Sequence, residues 1–132
     1  MYRIIKYRLS NIQTKNNVDM SRILKDCQKL TNVNLSNSYF NAYEMNELFS
    51  GCGSLSNIDL SVFNTKNVTN MTNIFSWCNK LTNMNISNFD TKNVIDMRRM
   101  FNCCSSLNSL NLSNFDSKNV TVMSSMFNYC NF

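Results

Sequence analysis

A chain of 132 residues with a formal net charge of +5 is long enough for one domain, and it contains no histidine, no proline and only two glycines, Gly51 and Gly53. The missing histidine removes the usual Ser-His and Cys-His nucleophiles, and no phosphate-cradling glycine loop is present. No apolar run reaches the roughly 18 residues needed to span a membrane, and nothing has the composition of a flexible linker.

The chain opens on a basic stretch: Arg3, Lys6, Arg8 and Lys15 stand in the first fifteen residues without one acid. Met1 to Ser10 lacks the apolar core of roughly 7 to 15 residues that a secretory signal requires. Beyond it the sequence repeats. Cys27, Cys52, Cys78, Cys104 and Cys130 are separated by 25, 26, 26 and 26 residues. Around them Met20, Ile23, Leu24, Leu30, Val33 and Leu35 form a first set of apolar columns. Met45, Leu48, Phe49, Leu55, Ile58, Leu60 and Phe63 fill the same columns in the next unit. The best-formed unit follows with Asn67, Val68, Met71, Ile74, Phe75, Cys78, Leu81, Met84, Ile86 and Phe89. The next runs through Asn93, Val94, Met97, Met100, Phe101, Cys104, Leu107, Leu110, Leu112 and Phe115. Asn119, Val120, Met123, Met126, Phe127 and Cys130 begin another.

Two periods coexist in each unit. Val68, Met71, Ile74, Phe75, Cys78 and Leu81 fall on one face at 3.6 residues per turn, which predicts a short helix over 68–79, with Thr69, Asn70 or Thr72 as its cap and Asp96 equivalent in the next unit. Leu81, Met84 and Ile86 then shift toward a period of two, which predicts a short strand. Ser87 to Asn93 carries Asn, Asp, Thr and Ser and reads as turn. A unit of this size cannot bury its own apolar face and must stack on copies of itself. The expected fold is therefore an α/β, leucine-rich-repeat-like right-handed solenoid of about five 26-residue rungs, each a short strand plus a short helix. All of residues 1–132 are expected in one domain, a fragment of a longer array.

From Asn67-Val68-Thr69-Asn70-Met71 through Phe75, Cys78 and Leu81 to Ile86-Ser87-Asn88-Phe89-Asp90-Thr91-Lys92-Asn93-Val94, the chain resembles the BspA-like leucine-rich-repeat surface proteins of bacteria. The likeness is good from Met45 onward and looser before. It implies a surface or secreted protein of adhesion or recognition, whereas the missing signal leaves a cytoplasmic location open.

The residues themselves point to binding rather than catalysis. If Leu81, Met84 and Ile86 face inward, their neighbours face out, and repetition gives a polar strand face of Asn57, Asp59, Ser61, Asn83, Asn85, Ser87, Ser109, Asn111 and Ser113. Such a face suits a protein or glycan. Lys66, Lys92 and Lys118, joined by Arg98 and Arg99, form the alternative site, a basic edge for a polyanion or nucleic acid. A spacer with no ligand is the third reading. No catalytic residue, metal ligand set or cofactor is expected. The repeating cysteines read as small core side chains, with disulfides as the alternative; Cys103, off their column, reads as an exposed thiol. Asn67, Asn93 and Asn119 read as a structural ladder, and Asp90 and Asp116 as turn residues. Of the 132 residues 25 are Asn, a bias that turns absorb. Tyr129, Cys130 and Phe132 stop short of the next expected strand, which predicts an uncapped apolar end and self-association through it.

Overall fold

Strands form where the apolar spacing alternates, and they are short: β1 (Ile5–Arg8), β2 (Val18–Asp19), β3 (Leu30–Asn34), β4 (Phe40–Glu44), β5 (Asn57–Asp59), β6 (Phe63–Asn64) and β7 (Asn83–Asn85). The computed structural model describes residues 5–131, with side chains from residue 9 onward. The expectations placed on Arg3 and Phe132, and on the side chains of Lys6 and Arg8, lie outside these. Every pairing is parallel. β1 pairs with β3, β5 with β7, and β4 lies between β2 and β6. In β5 and β7 the partners are Asn57 with Asn83, Ile58 with Met84 and Asp59 with Asn85, so each residue meets its equivalent one unit on.

The predicted fold class is overturned. Among the described residues there is no helix, and the strands form three separate sheets of two or three strands. The chain is a mainly-β small domain, without the strand-plus-helix rungs of the expected α/β solenoid. The reason lies in the backbone of the segment expected to be helical. Asn73 and Trp77 have φ of 56° and 63°, in the left-handed region, and each reverses the local hand before a helix can propagate. The N–H groups of Met71, Asn73, Phe75 and Trp77 donate to the carbonyls of Asp96, Arg98, Met100 and Asn102, at 2.8 to 2.9 Å, in the following unit. Between them, Ser76 and Cys78 close tight turns on Asn73 and Phe75. A turn every four residues thus returns the same side chains to one face that a helix would. The local sequence favours it, since Asn and Thr, common here, compete with helical backbone bonds. Asn70, expected to cap a helix, caps a turn by accepting the Thr72 N–H at 3.0 Å.

What the apolar columns specify is the interior. Phe49, Phe75, Phe101 and Phe127 stack with centroid distances of 5.9, 5.5 and 5.6 Å and nearly parallel planes, and Phe40 stacks on Phe63 at 5.0 Å. Met71, Ile74, Cys78 and Leu81 are buried beside Phe75, as are Met97, Met100, Cys104 and Leu107 beside Phe101. Each such side chain removed from water contributes about 1.5–3 kcal/mol, and an aligned aromatic pair about 0.5–1.5 more. The interior opens toward its last unit: Met123 is 47% and Phe127 36% exposed, while Met97 and Phe101 are fully buried. No helix of the described residues is long and apolar enough to cross a membrane.

Candidate functional site

The polar face is assembled from residues that alternate with buried ones. In β5, Ile58 is buried between exposed Asn57 and Asp59; in β7, Asn83 and Asn85 are exposed on either side of Met84. Ser61, Ser87, Ser109, Asn111 and Ser113 are exposed too. The third row departs from the expectation, because residues 108–112 form no strand. Between β7 and this row a groove of about 500 Å³ opens, lined by Asn57, Asp59, Asn83, Asn85, Ser109 and Asn111 and continuing past Ser87 and Ser113.

The face divides into two kinds of residue. Asp59, Asn85 and Asn111 each accept the backbone N–H of the residue two positions on, Ser61, Ser87 and Ser113, at 3.0 to 3.3 Å. Asn85 also donates to Asp59 Oδ1 at 3.1 Å. The hydrogen bonds from Ser61 and Asn85 hold the Asp59 carboxyl below its usual range. These side chains hold their own turns as well as facing solvent. Asn57 and Asn83 instead donate only to the hydroxyls of the preceding Ser56 and Thr82. They can be exchanged for a ligand at little structural cost.

The basic edge is present as a stack. Lys66, Lys92 and Lys118 are exposed, and their backbone N–H groups are fixed by Asn64, Asp90 and Asp116, the last two being the turn residues expected. Asn93 donates to the Lys66 carbonyl at 2.8 Å and Asn119 to that of Lys92 at 2.7 Å, which makes the asparagine ladder. Arg98 does not join the edge as a free cation. It forms an ion pair with Asp96 at 2.6 Å. Burial raises the Asp96 pKa, but the Arg98 hydrogen bonds, the Arg98 charge and the neighbouring Thr72 hydroxyl together more than offset this, so the carboxyl titrates below its ordinary value.

The cysteines have a structural task that their spacing did not reveal. The thiols of Cys52, Cys78, Cys104 and Cys130 donate to the carbonyls of Leu24, Phe49, Phe75 and Phe101, one unit back, at 3.1 to 3.2 Å. All six cysteines are free thiols. Burial pushes Cys52 and Cys104 up to about 12 and raises Cys78 well above the ordinary thiol value, so these groups stay protonated and are poor nucleophiles or metal ligands. Cys103 corrects the expectation of an exposed thiol, since only 7% of it is accessible.

Two further side-chain ladders, one buried through Thr65 and Thr91 and one at the surface through Asn88 and Asn114, are not marked by the sequence. Thr65 accepts the Asp90 N–H and donates to its carbonyl, and Thr91 does the same for Asp116. Asn88 donates to the carbonyls of Ser61 and Phe63, and Asn114 to those of Ile86 and Phe89. Their recurrence every 26 residues was visible, but a repeated polar residue has the same signature whether it faces water or a neighbouring backbone.

Residues 43–132 match the family model described as Mycoplasma protein of unknown function, DUF285. The chain belongs to this family. No curated protein and no solved structure matches it. The range shared with the DUF285 family contains the whole polar face, the Lys edge and the thiol ladder from Cys52 onward.

The split within the polar face of this DUF285 protein gives a direct check. Asn85→Ala is expected to lower stability by about 1 kcal/mol, the worth of a lost turn-capping bond, whereas Asn57→Ala should change it by less than about 0.5 kcal/mol. Urea titration followed by circular dichroism measures both, and equal effects would remove the distinction.

Proposed function

We propose that the domain is a non-catalytic recognition module whose polar face binds a protein or a glycan. The observation that carries this reading is the groove of about 500 Å³ between β7 and residues 109–111, where amides, hydroxyls and one carboxylate from three units converge. A broad, open trough of short polar side chains offers many hydrogen bonds and no enclosed reaction chamber, which suits an extended surface of another molecule better than a small substrate. The sequence likeness to BspA-like surface proteins supports a setting at the bacterial surface.

The test uses the chain immobilised against panels of extracellular proteins and of glycans. The triple variant Asn57→Arg/Asn83→Arg/Ser109→Arg is expected to abolish the binding seen with the wild type while leaving the melting curve in place. Binding that survives this variant would overturn the reading. A second reading rests on the Lys stack: the ion pairs among the described residues use Arg22, Lys25 and Arg98, so Lys66, Lys92 and Lys118 keep their charge for an external anion. It is favoured if binding follows those three lysines and weakens steeply with added salt.

A further inference from the structure

A different column carries a second site, which shares no residue with the polar groove. Asp26, Gly51, Trp77, Cys103 and Tyr129 occupy one position in successive units, and all five have positive φ, from 59° to 78°. Glycine adopts this backbone freely, whereas a bulky residue there is strained by about 1–2 kcal/mol. Trp77 and Tyr129 nevertheless stand at it, 57% and 72% exposed. Core packing therefore does not explain them. Backbone bonds of 2.8 Å from Trp77 to Asn102 and from Cys103 to Asn128 stack the three units in register.

Large and small residues alternate along this column, which makes slots. Trp77 and Tyr129 flank the smaller Cys103, and with Asn79 and Ser105 they line a cavity of about 530 Å³. On the Gly51 side of Trp77 a second cavity of about 360 Å³ is lined by Asp26, Gln28, Ser50, Gly53 and Asn79, and the Asp26 carboxylate occupies the space directly over Gly51. Trp77 and Asn79 border both cavities.

The geometry points to this pair of slots as a binding site for an uncharged oligosaccharide, with one sugar ring between Trp77 and Tyr129 and the next across the opposite face of Trp77. Three features favour a sugar. The two aromatic residues are two units apart, about 10 Å at the usual strand spacing, whereas a flat aromatic ring held in contact on both faces fills only about 7–8 Å. A chair-shaped ring with its axial hydrogens is thicker and spans more of the gap than a flat ring does. The rim is made of amides and hydroxyls, from Gln28, Ser50, Asn79 and Ser105, which match ring hydroxyls as donors and acceptors. Asp26 is the only ionic side chain lining either slot, so no cation is present to select an anionic ligand.

Trp77 is the only tryptophan of the chain, so its fluorescence reports on this site alone. The wild type is titrated with cellohexaose, maltohexaose and chitotetraose, and with adenosine as a flat-ring control. The expected result is a saturable change in Trp77 emission with at least one of the sugars and a weaker response to adenosine. Tyr129→Asn removes one wall and keeps a residue that tolerates positive φ, and it should weaken the sugar by about tenfold, as expected for one lost stacking contact. Cys103→Phe should fill the slot and abolish binding; if that variant does not fold, Tyr129→Asn decides alone. Loss of the polar-face reading leaves this site untouched, because the triple arginine variant should bind the sugar as the wild type does. A flat response to all three sugars, tighter binding of adenosine, or an unchanged affinity in Tyr129→Asn would each overturn the assignment.

Discussion

Phe75→Ala is expected to destabilise the domain by about 3–5 kcal/mol, a large share of the roughly 5–15 kcal/mol that holds a small domain together. Phe75 is fully buried and sits between Phe49 and Phe101, at 5.9 and 5.5 Å, so truncation removes two ring contacts and leaves a cavity that neighbours in two units line. The interior cannot close over it easily, because each neighbour is fixed by backbone bonds to the next unit. Phe75→Leu should cost much less, since it keeps most of the volume. Phe127→Ala, at the more exposed end of the same stack, is expected to cost about 1 kcal/mol, the worth of one partly solvated ring contact. Urea titration of the three variants by far-ultraviolet circular dichroism would measure the order. Similar losses for Phe75→Ala and Phe127→Ala would show that the stack is not the centre of the fold.

Stability is expected to fall steeply on the alkaline side, between about pH 9 and pH 12, through the thiol ladder. Cys52 and Cys104 have their pKa pushed from the ordinary 9.0 up to about 12 by burial, and burial raises Cys78 well above 9.0 too. The sign follows from which state holds the proton. Below pH 9 the thiols are neutral in both the folded and unfolded chain, and the contribution is fully present; as pH rises, the unfolded chain ionises first and the folded state loses ground until its own thiols titrate. The variant Cys52→Ser/Cys78→Ser/Cys104→Ser keeps a donor for the carbonyls of Leu24, Phe49 and Phe75 and removes the ionisation. Its melting temperature should therefore decline less between pH 8 and pH 10.5 than that of the wild type, even if it starts lower. Parallel declines would mean that the thiols are less enclosed than the structure places them.

Phe75 and Phe101, or Ile58 and Met84, are legible as equivalent positions because apolar side chains recur at one spacing, and the structure sets them against each other. The strand at Asn83–Asn85 was legible from the period-two spacing of Met84 and Ile86. The apolar spacing of three and four residues that predicts a helix over 68–79 describes one face, and a face does not reveal which backbone produces it. Asn73 and Trp77 carry the difference, and only Asn73 has a side chain that hints at positive φ. The polar face was found residue by residue, yet its division into turn-holding Asp59, Asn85 and Asn111 and freer Asn57 and Asn83 depends on distances that spacing cannot supply. Trp77 breaks the repeat and Tyr129 reads only as part of the apolar end, because the alternation of large with small along their column has meaning only once the units are stacked.

The sequence by itself determined the repeat length, the membership of each apolar column and the side of the backbone on which polar residues emerge, since these follow from the order and spacing of side chains. Only the tertiary structure decided how the backbone is bonded, and with it the loss of the helix, the protonated thiol ladder, the groove beside β7 and the aromatic slots. The physical reason is that half of the N–H groups in the segment around Phe75 find their acceptors about 25 residues away. A partner so distant in the chain is fixed by stacking, and local sequence preference cannot specify it.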